Sequence, residues 1–195
     1  MSINVSAVTS GNVVIVRFTD PDMRNPLSAD VLRRLHELTD NLKSSKDVET
    51  LVFTGSGSVF ASGANLREIA GLDGRSAPEF ARLGQSVMAK IAGLPQMTIA
   101  AINGLCFGGA LDLALSCKRR IASPNATFAH PGARLGIMTG WGGTQRLPRL
   151  IGQANALEMF FTADPIHAER ALCIGLVDLI ADDVFHNPCL MLDPI

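Results

Sequence analysis

The sequence predicts a single α/β domain built on a largely parallel sheet. Short β-branched or apolar runs occur at 13–18 (VVIVRF), 50–54 (TLVFT) and 97–102 (MTIAAI), and each is too brief for a helix. Stretches with apolar residues at helical spacing separate them, the alternation that places crossover helices between parallel strands. The chain has 195 residues, 47% of them hydrophobic, enough for one domain with a sizeable core. It shows no internal repeat and no clear linker.

The elements follow in order. After the strand at 13–18, Asp20-Pro21-Asp22 supplies turn chemistry. Ser28 is an expected N-cap, and Val31, Leu35, Leu38 and Leu42 recur at i, i+4, i+7 and i+11, which predicts a helix ending near Ser44. The strand at 50–54 is stopped by Gly55-Ser56-Gly57-Ser58. Ser76 and Glu79 have capping-box spacing with Pro78 in the first turn, and Phe80, Leu83, Val87, Ile91 and Leu94 carry that helix to Pro95. The strand at 97–102 ends in a turn at Asn103-Gly104, and a helix is expected to start at Gly108 or Gly109. Residues 120–123 and 126–129 form short strands around Pro124-Asn125. Helical patterns cover 143–150 and 153–161, and a last one at 167–174 leads into a strand at 177–180. The domain is expected to span 1–182, followed by an irregular tail at 183–195.

Composition narrows the partners. A formal charge of −1, with Lys and Arg scattered along the chain, leaves no footprint for nucleic acid. The four cysteines, at 106, 117, 173 and 189, have no metal-like spacing with the histidines, so no metal site and reduced thiols are expected. No secretory signal is visible, which favours the cytoplasm. The apolar stretch from Met97 to Cys117 resembles a membrane span. It breaks at Asn103-Gly104 and Gly108-Gly109 and carries Asp112, so it reads as two buried elements joined by a turn.

Ligands of α/β domains tend to sit at the carboxyl ends of strands. Two segments of small residues occupy that position, 59–66 (VFASGANL) and 104–112 (GLCFGGALD). Small side chains leave backbone N–H groups accessible, and at a helix start those groups lack intrahelical partners. Two such bends meeting in space form an oxyanion hole. Taken singly, each is better served by the plainer role of glycine and alanine in tight turns and close packing.

These residues carry a resemblance. VFASGANL at 59–66, AINGLCFGGALDLA at 101–114 and LGIMTGWGGTQRL at 135–147 resemble the sequential motifs of the enoyl-CoA hydratase/isomerase, or crotonase, superfamily. RNPL at 24–27 and AERALCIGLVD at 168–178 are similar to further motifs of that family. The resemblance runs from about residue 13 to about 182. It implies a crotonase-like (ClpP/crotonase) fold of repeated ββα units, without the C-terminal helices that relatives add. It also implies an acyl-CoA thioester as substrate, with coenzyme A part of that substrate and no separate cofactor. A homo-oligomer based on trimers is expected if the short tail permits it.

Carried over residue by residue, the oxyanion donors fall on the amides of Ala64 and Gly109. The first family glutamate falls on Asp112, one methylene shorter, and the second on Gly132, where no acid remains. Hydration by two carboxylates is therefore doubtful, and a one-carboxylate reaction such as double-bond isomerisation fits better. Asp112 has two readings: an acid welcomed by the dipole in the first turn of a helix, or the remaining acid/base. Substrate contact is expected at Ala61 and Gly63, at Arg24, whose guanidinium suits the CoA phosphates or is simply solvated at the surface, and at Trp141, which lines the acyl pocket or serves plain packing. His130 is a candidate substitute proton carrier or a hydrogen-bonded structural residue. Asn65 is expected to hold its loop by side-chain to backbone bonds. Nucleotide hydrolysis is disfavoured, because Gly55-Ser56-Gly57-Ser58 lacks the Gly-Lys-Ser/Thr ending of a phosphate loop. The alternative to an enzyme is a non-catalytic acyl-CoA-binding or assembly subunit.

Overall fold

The computed structural model describes residues 4–182, so the expected tail at 183–195 lies outside the described residues. The chain opens with a hairpin, β1 (Val5–Ser10) and β2 (Val13–Phe18), followed by β3 (Pro26–Leu27) and helix α1 (Ala29–Lys43). Next come β4 (Thr50–Thr54), β5 (Val59–Ala61), β6 (Gly63–Ala64), α2 (Leu66–Ala70) and α3 (Ser76–Ala92). Two similar units follow. One is β7 (Met97–Ile102), β8 (Leu105–Phe107) and α4 (Gly109–Ser116). The other is β9 (Arg119–Ala122), β10 (Thr127–Ala129), a 3-10 turn at Pro131–Leu135 and α5 (Gly143–Ile151). The described chain closes with α6 (Gln153–Thr162), β11 (Ile166–His167), α7 (Ala168–Cys173) and β12 (Leu179–Ile180).

The strands divide between two main sheets. A six-stranded sheet has the order β1-β2-β4-β7-β9-β12, and a four-stranded sheet the order β11-β10-β8-β5. Pairing in the larger sheet is parallel except between β1 and β2. The strands β4, β7 and β9 each hand the chain to a strand of the smaller sheet, β5, β8 and β10, before a helix returns it. This is the expected ββα repeat. Strands 119–122 and 127–129, adjacent in sequence around Pro124-Asn125, accordingly lie in different sheets.

Burial explains why these residues take these places. β2 alternates, with Val14, Val16 and Phe18 turned into the main core, while all five residues of the more central β4 are buried. Helix α1 starts where Ser28 Oγ accepts from the Val31 N–H at 3.2 Å, and its stripe Val31, Leu35 and Leu42 is buried. α3 begins differently from expectation. Ser76 is its first helical residue, and the cap comes from Asp73, whose Oδ1 accepts from the Ser76 N–H at 2.8 Å and from its hydroxyl at 2.7 Å. The same carboxylate accepts from the Arg75 N–H at 3.0 Å, while the Ser76 hydroxyl accepts from the Asp73 N–H at 2.9 Å. Among the described residues, no helix is long and apolar enough to cross a membrane.

The far edge of the larger sheet is pinned by charge. Arg120, buried in β9, donates from Nε to the Leu176 carbonyl at 2.9 Å and from Nη2 to Asp178 Oδ2 at 3.1 Å, while its own backbone N–H reaches the same oxygen at 2.7 Å. Asp178→Ala leaves that guanidinium buried without its counter-charge. It is expected to cost about 3 kcal/mol by urea denaturation, and a change under about 0.5 kcal/mol contradicts the role given to the pair.

Candidate active site

The two small-residue bends are drawn together by asparagines. Asn103, at the end of β7, accepts from the Gly55 N–H at 3.0 Å and donates to the carbonyls of Gly57 at 2.9 Å and Val59 at 3.2 Å. Asn25 donates to the same Val59 carbonyl at 2.8 Å, and the Arg24 carbonyl accepts from the Ser62 N–H at 2.9 Å. The 24–27 turn is thereby fastened to the first bend, with Arg24 and Asn25 held at positive φ of 63° and 49°. The bends meet at Gly63. A Cβ on that residue would lie 2.8 Å from the Gly109 nitrogen and 2.6 Å from the Phe107 carbonyl oxygen. Gly109 opens α4, so its N–H has no partner within the helix.

Above this junction lies a cavity of about 250 Å³. Ala64, Gly109, Asp112, His130, Gly132 and Trp141 line it, with Leu66, Ile69, Phe80 and Met138 among the residues that make its walls mostly apolar. Trp141 is buried in a slot cut by two missing side chains. A Cβ on Gly84 of α3, or on Gly109 of α4, would overlap the indole ring. Phe80 closes the slot, its ring 5.6 Å from the indole between centroids.

Asp112 stands at the cavity wall on α4 with its side chain fully buried. Its Oδ2 accepts a hydrogen bond from the Thr139 hydroxyl. Its Oδ1 has no hydrogen-bond partner among the described residues, and neither ring nitrogen of His130 has one. The two groups face each other, His130 Nε2 at 3.7 Å from Asp112 Oδ1. Gly143 lets them meet. A Cβ there would overlap Asp112 Oδ1 and lie 3.1 Å from His130 Cε1. Burial raises the Asp112 carboxyl from its ordinary 3.8 to about 6. The Thr139 hydroxyl, the backbone amides of Trp141 and Gly143 and the charge of Arg146 hold it from going higher. Burial also lowers His130 from 6.5 to about 4.

Of the residues the sequence points to, the structure brings Ala64, Gly109, Asp112 and Trp141 to one cavity, while Arg24, Ala61 and Gly63 do not line it. Ala61 is fully buried, Gly63 supports the bend from behind, and Arg24 is exposed on the turn. Asn65 behaves as expected, accepting from the Arg67 N–H at 3.0 Å and capping α2. Thr139 is the residue sequence reasoning missed. A lone hydroxyl inside MTGWGG was its only signal, and the partner lies 27 residues earlier. Gly132 lines the cavity as a bare backbone position, where a Cβ would come within 2.5 Å of the Ile137 carbonyl oxygen.

Similarity to known proteins points the same way. A sequence profile described as enoyl-CoA hydratase/isomerase matches residues 8–190. The chain is 37% identical over 180 residues to a short-chain-enoyl-CoA hydratase of Clostridium acetobutylicum, covering 92% of this chain and 69% of that protein. It is 38% identical over 178 residues to a crotonyl-CoA hydratase of Syntrophomonas wolfei, covering 91% of this chain and 68% of that one. The crystal structure of an enoyl-CoA hydratase from Bacillus anthracis superposes with a TM-score of 0.88 at 34% identity, over 92% of this chain and 70% of that one.

Two measurements check the geometry. Gly84→Ala gains helix propensity but drives a methyl into the indole. It is expected to cost about 1–3 kcal/mol and to red-shift the fluorescence of Trp141, the single tryptophan; an unshifted spectrum contradicts the slot. The second concerns pH. Between 3.8 and about 6 the folded chain binds more protons at Asp112 than the unfolded chain, so that contribution to stability falls as pH rises. Between about 4 and 6.5 the unfolded chain binds more at His130, so that contribution rises. Asp112→Asn removes the falling part, and its stability in urea is expected to climb more steeply than wild type from pH 4 to 6.5. Parallel curves contradict the assignment.

Proposed function

The chain belongs to the enoyl-CoA hydratase/isomerase family and has its crotonase-like fold, and from that premise we propose that it is an enzyme acting on an acyl-CoA thioester, whose enolate it stabilises between the amides of Ala64 and Gly109. The observation that carries the reading is the junction at Gly63, where the two bends touch beside the Gly109 amide, which has no partner within its helix, and under a cavity that Ala64 also lines. Charge that develops on a thioester oxygen there meets donors already oriented, in an apolar surround that strengthens them. One such donor is worth roughly 2.7–4 kcal/mol in acyl-transfer enzymes.

Asp112 is the acid/base. With a carboxyl near 6 it stands ionised at neutral pH, ready to take a proton from a carbon next to the thioester or conjugated with it. The C–H electron pair then enters the enolate, and the same group returns the proton elsewhere along the chain. Double-bond isomerisation suits this residue set better than hydration, since the position of the second family glutamate is Gly132. Trp141, Phe80 and Met138 contact the acyl chain, and Arg24, on its exposed turn, reaches the CoA phosphates. Coenzyme A enters with the substrate, and no other cofactor is part of the reading. Assembly into a homo-oligomer belongs to the same proposal, supported by Leu157 and Phe161 on α6, 51% and 74% exposed.

A second reading, a non-catalytic acyl-CoA-binding or assembly subunit, draws on Gly132. A spectrophotometric assay with short and long 2-enoyl- and 3-enoyl-CoA, beside calorimetric binding of the same thioesters, separates the two. The enzyme predicts turnover that Asp112→Ala abolishes and a kcat/KM that rises with pH through about 6, as the carboxyl loses its proton. Binding without turnover supports the subunit.

A further inference from the structure

We propose that His130 is a second catalytic residue of this site, forming with Asp112 a two-station relay that moves a proton between two carbons of the acyl thioester. The inference rests on the acyl-CoA reading and adds to it a residue and a step. Asp112 and His130 are the two ionisable side chains among the residues lining the cavity. Both are nearly inaccessible, at 0% and 3% exposure, and both leave polar atoms without a partner among the described residues, Oδ1 on one and both nitrogens on the other. Buried polar atoms are paired in roughly 90% or more of cases. Here two of the unpaired atoms, Oδ1 and Nε2, face each other between residues that line one cavity.

The surroundings keep the pair as it is. Thr139 engages Oδ2 and leaves Oδ1 turned to the imidazole. The Phe160 ring backs the imidazole at 5.0 Å between centroids, offering no competing acceptor. Gly143 passes between them without a side chain. The separation is 3.7 Å, longer than a hydrogen bond, and catalytic contacts of this kind tighten around a bound substrate.

The step balances. The Asp112 carboxylate takes a proton from one carbon, and the C–H electron pair passes into the thioester as an enolate held by the two amides. Oδ1 hands the proton to the free Nε2 of neutral His130. The imidazolium so formed delivers it to the second carbon, where the electron pair of the neighbouring double bond makes the new C–H bond. The enolate collapses into the shifted double bond, and both side chains return to their starting states. The carboxylate is one methylene shorter than a glutamate and tethered to Thr139. The second station supplies the reach it lacks.

The test uses wild type, His130→Gln, His130→Phe, Asp112→Asn and the Asp112→Asn/His130→Gln double variant, with a 3-enoyl-CoA as substrate. The readouts are isomerisation rate, calorimetric affinity for the thioester, thermal melting and deuterium uptake into product in heavy water. The relay predicts that His130→Gln loses on the order of 10² to 10⁴ in kcat with affinity retained. It predicts a double variant no slower than the worse single one, as for residues acting as a unit, and a product that keeps the substrate's own hydrogen in heavy water, since the pair that carries it is buried. If His130→Phe fails to fold, the glutamine variant decides. A His130→Gln variant within about threefold of wild type, far short of the general acid–base range, beside a dead Asp112→Asn overturns the relay and leaves the acyl-CoA reading standing. Wild type that neither binds nor turns over the thioester overturns both, and binding without turnover overturns the relay together with the enzymatic reading.

Discussion

Much of the site depends on how closely two helices can approach a single indole. Gly84 on α3 and Gly109 on α4 present bare backbone where Trp141 enters, and a methyl at either place would expel it. With the ring seated, the glycine-rich segment on both sides of it is fixed in height and direction. Thr139 then reaches the Asp112 carboxylate and Gly143 slides beneath it. The residue that opens the seat on α4 also lines the cavity, with an amide that has no partner within the helix. The indole packing and the cavity wall thus share Gly109, and a change made for one is felt by the other.

The electrostatics follow from that packing. A carboxylate removed from water is costly unless hydrogen bonds or charges replace its hydration. Around Asp112 the replacement is partial: a hydroxyl, nearby backbone amides and the more distant Arg146 leave it still raised, to about 6. Sites that perform proton transfer commonly sit in such incompletely compensated states, which cost stability and leave reactivity in its place. His130 is in the mirror condition, buried neutral with its nitrogens idle.

What the sequence made legible was set by periodicity and by local chemistry. The stripes of α1 and α3, the buried runs of β4 and β7 and the cap at Ser28 can be read because their signals lie within a few residues of one another. β1 left no trace because it is an edge strand with five of its six residues exposed, so no alternation records its pairing. β5 and β6 read as loops, since Val-Phe-Ala and Gly-Ala owe their extended form to neighbours far along the chain. α2 is five residues long and buries none of them. At the site, family-like spacing pointed to Ala64, Gly109 and Asp112. Thr139 and the closeness of His130 depended on how two ββα units stack, and no short-range pattern encodes that.

The segment after β10 has consequences for how this chain can change over time. With no side chain at 132, the backbone has folded inward, and the Ile137 carbonyl oxygen occupies space that a Cβ would need. A side chain could enter there only if the 132–138 stretch opened first, so a glycine at this place behaves as an evolutionary ratchet: no single substitution exchanges it without moving the backbone that fills the space. Descendants of such a chain would gain new proton chemistry more readily from residues already facing the void than from position 132.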